Sequence, residues 1–344
     1  MSCDFDIEQR VIAIGLKDGI AKTMDIEKLC ITDVFTYGND PEYKQPSVTA
    51  INCRIKEKVI AGYEDGFINE FSVNNPTQPT NSIPPLKTGS SMLYSPVAHI
   101  EYSGKKKLII ASYNMSKESS TILSYEIGST SIFSTINHSS GSVIGMRVLE
   151  WAQALVTLSN FKNEIGIYDY TSGTQLISLH VEIKNITYHN PITSFALLPL
   201  TKQVRLKYEG LKTILKNETQ GDIIAFGMVN GSILTAYLSL KFDKGKVMAS
   251  IIPQQLYKSK LKDIYESSII SLYIDSATDN VVAGDAQGNV IMLDRVVMQI
   301  LNPDKAKQPI VHDKINTEDK SSGSRLEPIV FEMVDRKKNE DSKT

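Results

Sequence analysis

One phrase recurs through this chain and restricts the folds that it can adopt. It reads VIAIGLKDGI at 11–20 and VIAGYEDGFI at 59–68, and it returns as IIAFGMVNGSI at 223–233 and VVAGDAQGNVI at 281–291. Each copy has an apolar stretch, a small residue, a turn that contains Gly, and a second alternating stretch. Because glycine readily takes the positive φ of a tight turn, each copy predicts a β-hairpin.

Two less regular segments extend the series, one with an extended polar turn. Six hairpins are therefore predicted, near 11–26, 59–73, 108–127, 155–170, 223–240 and 281–294. A further strand precedes most of them, at 48–55, 96–102, 142–149, 191–198 and 269–274. Hairpins repeated at long and fairly even spacing indicate a repeat architecture, and four strands per unit are typical of a propeller blade.

Some residues stand at positions that a known repeat family uses. Tyr168-Asp169 and Leu293-Asp294 end hairpins where WD40 repeats have Trp-Asp, and His138 and His189 precede the fourth and fifth units as the WD40 histidine does. The chain thus resembles a divergent WD40-like β-propeller. The resemblance implies an all-β fold, a single β-propeller of six to seven four-stranded blades with short helical insertions, over residues 1–301.

Several residues are expected to have structural roles within this repeat. The aspartates beside turn glycines should cap their own backbone, and the two histidines should orient turns by hydrogen bonding rather than by acid–base work. These structural repeat positions are Asp18, Gly19, Asp65, Gly66, His138, Asp169, His189, Gly231, Gly288 and Asp294.

Two segments have apolar residues near helical spacing. The first is Thr201–Gly221, with Leu211, Ile214 and Leu215, and the second follows Pro253, with Leu256, Leu261 and Ile264. Both are predicted as short helices. They either cap blade edges or present a partner-binding face.

Lysines cluster around the last inter-blade connection, close to Tyr257 and Tyr265. They are Lys241, Lys244, Lys246, Lys258, Lys260 and Lys262, and a second basic turn is formed by Lys105, Lys106 and Lys107. Such clusters either form a solvated loop surface or bind phosphate backbones.

The C-terminal part is predicted in three pieces. Residues 302–324 are polar and are expected to be a disordered linker, and residues 336–344 a disordered tail. The segment 325–335 alternates well enough to be a strand, and we expect it to close the ring beside Val11–Leu16.

The overall composition excludes several functions. A net charge of −2 and a pI near 6.3 provide no general attraction to nucleic acid or to anionic membranes. The three cysteines lack metal-binding spacing, and no nucleotide-binding or hydrolase motif is present. Without a signal peptide or a long apolar run, the chain is expected in the cytoplasm or the nucleus, with no membrane insertion and no cofactor.

We therefore expect a non-catalytic intracellular scaffold that binds protein partners in a multiprotein complex. The alternative is a nucleic-acid-associated subunit, in RNA processing or chromatin, that uses a basic loop face. The third class, an enzyme built on a propeller, lacks a convergent set of catalytic residues. Homo-oligomerisation is not implied.

Overall fold

The structure is a computed structural model, and it describes most of the repeat region. The described residues are 2–6, 10–28, 30–37, 45–88, 91–92, 95–160, 163–181, 191–199, 220–243, 246–257, 267–275, 280–293 and 311–314. These residues form six four-stranded antiparallel sheets and one two-stranded ribbon, and none of them is helical. The all-β prediction is confirmed.

Each sheet is a meander of four consecutive strands, in chain order from its first strand to its fourth. Sheets 1 to 3 contain β1 (Ser2–Asp6), β2 (Val11–Gly15), β3 (Ile20–Asp25), β4 (Cys30–Thr36), β5 (Val48–Ile55), β6 (Lys58–Tyr63), β7 (Ile68–Ser72), β8 (Asn75–Ile83), β11 (Val97–Ser103), β12 (Leu108–Asn114), β13 (Ser120–Glu126) and β14 (Ile132–His138). The ribbon is β9 (Lys87–Thr88) with β10 (Ser91–Met92).

The remaining strands follow the same pattern. Sheets 4 to 6 contain β15 (Val143–Leu149), β16 (Ala154–Ser159), β17 (Glu164–Asp169), β18 (Gln175–His180), β19 (Ile192–Pro199), β20 (Gln220–Met228), β21 (Ile233–Asp243), β22 (Lys246–Tyr257), β23 (Ile269–Asp275), β24 (Asn280–Asp285), β25 (Val290–Leu293) and β26 (Val311–Lys314).

The chain divides into two compact units. The first comprises Met1–Phe161 with Ile167–Leu176, and the second Lys162–Gly166 with Ile177–Thr344. Within each unit, consecutive sheets pack face to face. Apolar clusters fill the spaces between sheets 1 and 2, 2 and 3, and 3 and 4 in the first unit, and between sheets 5 and 6 in the second.

The same irregularity recurs near the start of the first strand of sheets 2 to 6. The pairing register shifts by one residue there, which is the signature of a β-bulge. The shifts fall at Val48/Ala50, Val97/His99, Val143/Gly145, Ile192/Ser194 and Ile269/Ser271. The five sheets can therefore be aligned residue by residue from the bulge.

The small residue of the recurring phrase lies where the next sheet packs most closely. A Cβ added to Gly62 on β6 would be 2.6 Å from Cγ1 of Val97, the first residue of β11. Gly15 meets Val48 in the same way, and Gly227 meets Ile269. A β-branched side chain of one sheet thus occupies the space that a glycine of the preceding sheet leaves open.

The turn glycines have a second function besides their backbone conformation. Gly66 has φ +88° and Gly231 has φ +75°, and a Cβ on them would lie 2.9 Å and 3.1 Å from the carbonyl oxygens of Ser95 and Ser267. Each of those serines belongs to the link that leads to the following sheet. Gly288, in the last sheet, has φ +86°, but among the described residues no atom lies within 4 Å of such a Cβ.

Two expectations about how the chain ends are corrected. Val11–Gly15 is flanked by Ser2–Asp6 on one side and Ile20–Asp25 on the other, so both of its edges are already paired and no C-terminal strand can be added beside it. Val311–Lys314 is the fourth strand of sheet 6, so 302–324 is not a linker throughout. Residues 325–335 and 336–344 lie outside the described residues.

The helix predicted after Pro253 is wrong over its first part. β22 continues through Tyr257, and Pro253 pairs with Ala236 beside a register shift. Because β22 is the fourth strand of its sheet, the missing N–H of proline disturbs no further ladder. The helix predicted over Thr201–Gly221 lies outside the described residues, apart from Gln220 and Gly221, which belong to β20.

We predict that Gly62→Ala lowers the free energy of unfolding by about 1–3 kcal/mol, since the added methyl overpacks the contact with Val97. Chemical denaturation of the purified chain measures this change. Gly104→Ala is the control, because its Cβ would have no neighbour closer than 3.8 Å. The double variant with Val97→Ala should recover part of the loss, and equal destabilisation by both glycine changes would contradict the packing role of Gly62.

Candidate interaction site

Four charged side chains from the first strands of sheets 1 to 4 form a continuous ladder. Nη2 of Arg54 lies 2.9 Å from Oδ1 of Asp4, and its Nη1 lies 3.5 Å from Oε2 of Glu101. Nη1 of Arg147 lies 2.5 Å from the other oxygen of Glu101. The charges alternate along this charge ladder, so each internal member attracts a neighbour on either side.

The two signs of charge differ in their access to solvent. The side chains of Asp4 and Glu101 are 11% and 5% exposed, whereas those of Arg54 and Arg147 are 39% and 35% exposed. The carboxylates are thus enclosed and the guanidinium groups lie at the surface. The ladder therefore links four sheets and presents basic groups to solvent.

The ladder follows a single register position closely. The matching residue of each first strand lies two positions after the bulge in sheets 2 to 6, and two positions after the Ser2–Gly15 pair in sheet 1. It is Asp4, Asn52, Glu101, Arg147, Ala196 and Tyr273 in sheets 1 to 6. Only sheet 2 departs, where Asn52 donates to the carbonyl oxygen of Ile100 and Arg54, two residues later, carries the charge. The position carries a charged or amide side chain in sheets 1 to 4, and Ala196 and Tyr273 in sheets 5 and 6.

Burial changes the pKa of Asp4. Desolvation raises it above the ordinary value, and the positive charge of Arg54 opposes the rise without cancelling it. Because the folded pKa is raised, the contribution of Asp4 to stability is greatest below its ordinary pKa and falls as the pH rises past it. Arg54 thus offsets part of the free energy that is needed to bury the charged carboxylate of Asp4.

A histidine stands beside the ladder. Nε2 of His99 lies 3.2 Å from the carbonyl oxygen of Val143, so this nitrogen carries the proton and donates it. Burial, together with the nearby charge of Arg147, lowers the pKa of His99 to about 4. His99 is therefore a neutral hydrogen-bond donor between sheets 3 and 4 at neutral pH.

The residues expected to be structural lie in the turns and inter-sheet links. Tyr37, after β4, donates to Oδ2 of Asp65 at 2.6 Å, and Nδ1 of His138 lies 2.7 Å from the hydroxyl of Tyr168. Asp18 and Asp169 accept from backbone N–H groups two residues further on. Gly19 has φ +79°, as a tight turn requires. His189 and Asp294 lie outside the described residues.

The predicted partner-binding residues are described only in part. Lys241 and Lys246 lie near the tip of the long β21–β22 hairpin, where Lys241 pairs with Met248 and Lys246 with Asp243. This tip extends past the start of β20, whose first residue pairs with Leu240. The remaining candidates, Lys244, Lys258, Lys260, Lys262, Leu211, Ile214 and Leu215, lie outside the described residues.

Large apolar side chains remain exposed on the sheets. Ile132 and Phe133, at the start of the outer strand of sheet 3, are 49% and 47% exposed. The others are Ile31, Val34, Met248, Ile270 and Val290. Nothing in the sequence distinguishes these residues from core residues, since an apolar residue in a strand is ordinarily taken as core.

Solved structures with the same architecture are known. The chain is similar to the Cps50 (Swd1) beta-propeller domain of Myceliophteria thermophila, with 9% identity, a TM-score of 0.58, and coverage of 86% of this chain and 82% of that one. The fold is a six-bladed β-propeller. The WD40-like resemblance of the sequence is confirmed at the level of fold.

A second similar structure is the crystal structure of a mitotic checkpoint complex. A chain of it matches with 11% identity and a TM-score of 0.54, over 84% of this chain and 72% of that one. No protein-family model and no curated protein sequence matches the propeller chain.

Among the residues that the structure describes, no helix is long and apolar enough to cross a membrane. Nor do three or more His, Cys, Asp or Glu side chains of that part of the propeller converge as metal ligands would.

We predict that Glu101→Gln destabilises the propeller by about 2–3 kcal/mol, because it leaves two guanidinium groups without their shared carboxylate. This value is below the usual range for buried pairs, since both arginines are partly exposed. Thermal and chemical unfolding of the purified chain measures the effect. Glu27→Gln is the control, because Glu27 pairs with Arg10 at the surface, where solvent screens the charges, so that this change should destabilise the chain far less.

We predict that His99 stays neutral down to about pH 4, as NMR titration of its ring protons would show. The unfolded histidine takes up a proton near pH 6.5, whereas the folded one stays neutral. As the pH falls from about 6.5 to about 4, the free energy of unfolding should therefore decrease by up to about 1.4 kcal/mol per pH unit. His99→Gln keeps a donor for Val143 and should flatten that part of the stability profile. An unchanged slope would show that His99 does not cause it.

Proposed function

We propose that this propeller is a non-catalytic protein-interaction scaffold and a subunit of a multiprotein complex. Exposed apolar side chains on a rigid all-β frame carry the proposal. Ile132 and Phe133 are each about half exposed on one strand. Contiguous exposed apolar side chains on a soluble domain are a feature of protein-binding surfaces.

The packing of the polar groups supports the same function. Glu70 is fully buried and accepts from Nδ2 of Asn81 and the backbone N–H of Gly128, both at 2.8 Å, with Lys58 at 3.3 Å. The ladder carboxylate of Glu101 likewise joins neighbouring sheets. These charged groups serve the frame itself, which leaves the turns and outer strands to bind partners.

One of the similar solved structures is itself a complex, and propellers bind partners on several faces of one rigid body. We further propose that the protein acts inside the cell, in the cytoplasm or the nucleus. Cys3 and Cys30 are exposed thiols, which fits a reducing compartment.

The test is affinity purification of the tagged full chain from its own cells, with and without nuclease. We expect a defined set of proteins that survives nuclease and elutes with the chain at an apparent mass well above its own 38.2 kDa. The tag alone is the control.

Two outcomes would contradict the proposal. Elution as a free 38.2 kDa chain under both conditions would argue against a stable complex. A set of proteins that disappears with nuclease would instead favour the nucleic-acid-associated function.

A further inference from the structure

Two exposed features of sheet 3 lie side by side at one end of the sheet. The turn between β11 and β12 contains Lys105, Lys106 and Lys107, and the carbonyl oxygen of Lys107 accepts from the N–H of Ile127 at 3.2 Å. Ile127 opens the turn between β13 and β14. The basic turn therefore lies against the turn that leads into the outer strand.

The strand register sets the distance between these features. Leu108, next to Lys107, pairs with Glu126, and the adjacent Tyr125 pairs with Ile132. Lys107 and Ile132 are thus two strand spacings apart, or roughly 10 Å. We call the surface formed by Lys105, Lys106, Lys107, Ile132 and Phe133 the basic rim patch.

All five residues of the basic rim patch are exposed. Phe133 is the extra residue of a β-bulge, since Ser134 pairs with Ser124 and Ile132 with Tyr125, so no residue of β13 stands opposite it. Further along β14, the turn that contains Gly173 lies against the carbonyl group of Thr135. The exposed apolar part of the strand therefore ends after Phe133.

Neighbouring sheets hold the turns of the patch in place. On one side, the N–H of Gly128 donates to Glu70, and Nδ2 of Asn81 donates to the carbonyl oxygen of Ser129 at 3.3 Å. On the other side, the N–H of Gly104 donates to Oε1 of Glu150 at 2.5 Å. A partner would therefore meet a preorganised surface, which lowers the entropy lost on binding.

The charge of the patch is positive but not uniformly so. Three lysines stand beside the exposed carboxylate of Glu126, and Glu150 is bound to Gly104 and Ser103. The lysines outnumber these carboxylates. Their charge is therefore available to attract an acidic group, at a strength that salt would reduce.

We propose that the basic rim patch binds an acidic segment of a partner protein, whose apolar side chains contact Ile132 and Phe133 and whose carboxylates face the lysines. The proposal rests on the scaffold function above and names the chemistry of one partner. It commits to a peptide rather than to nucleic acid. An aliphatic side chain such as Ile132 gains from contact with apolar side chains of a peptide, which a sugar–phosphate backbone does not offer.

The experiment is photo-crosslinking in the assembled complex. p-Benzoylphenylalanine replaces Phe133 in the tagged full chain, which keeps an aromatic ring at an exposed site. The complex is purified after nuclease treatment and irradiated, and the crosslinked peptide is sequenced by mass spectrometry. We expect a partner segment that has Leu, Ile, Val or Phe within a few residues of several Asp or Glu.

Charge reversal tests the role of the lysines. In the crosslinking background, Lys105→Glu with Lys106→Glu should lower the yield about tenfold, through loss of charge complementarity. Lys107 is left unchanged because its φ is +55° and its carbonyl oxygen accepts from the N–H of Ile127. The matched control is Lys17→Glu with Lys117→Glu, two exposed lysines in β2–β3 and β12–β13 turns, which should leave the yield unchanged. Thermal melting of both double variants confirms that they fold.

The outcomes separate this proposal from the scaffold function. Equal yields from the two double variants, a lysine-rich crosslinked segment, a nucleic-acid adduct, or an intact complex without any crosslink at position 133 would each overturn the acidic-segment proposal. In all of these cases except the nucleic-acid adduct, the scaffold function would stand. Absence of any nuclease-resistant complex would overturn the scaffold function as well.

Discussion

One steric fit joins sheets 1 and 2, sheets 2 and 3, and sheets 5 and 6 of this propeller. A glycine on the second strand leaves a space, and a β-branched residue at the start of the following sheet fills it, as Val97 does at Gly62. In each case a β-bulge lies beside the residue that fills the space, at the start of the first strand of sheets 2, 3 and 6. Since an interior is close-packed, even one added methyl must displace the neighbouring sheet.

Buried polar side chains also form hydrogen bonds and ion pairs between neighbouring sheets. Glu70 and Glu101 are buried carboxylates whose partners come from two sheets, so moving either sheet would leave a desolvated charge without its hydrogen bonds. His99 contributes in a different way, as a neutral donor between sheets 3 and 4. Apolar packing supplies the stability, and these groups join neighbouring sheets at defined positions.

The sequence predicted the hairpins because their signals are local. Gly66 and its neighbours identify a turn without reference to any other part of the chain. The charge ladder was missed because Glu101 and Arg147 lie far apart in sequence, and only the shared bulge register aligns them. One usable signal existed, since each follows the valine that begins its strand by four residues. The helix predicted after Pro253 is wrong over its first part, through Tyr257, because apolar spacing near a proline also suits an edge strand.

The ladder and the basic rim patch show why charge alone does not mark a binding site. In the ladder, Arg54 and Arg147 are partly exposed, but each is already bound to an enclosed carboxylate of a neighbouring sheet. A partner would have to compete with Glu101 for them. In the patch, Lys105 and Lys106 are exposed beside apolar side chains, while the nearby Glu150 is held by backbone and hydroxyl donors. An acidic segment could therefore bind there without breaking an inter-sheet contact, which keeps recognition separate from the stability of the propeller.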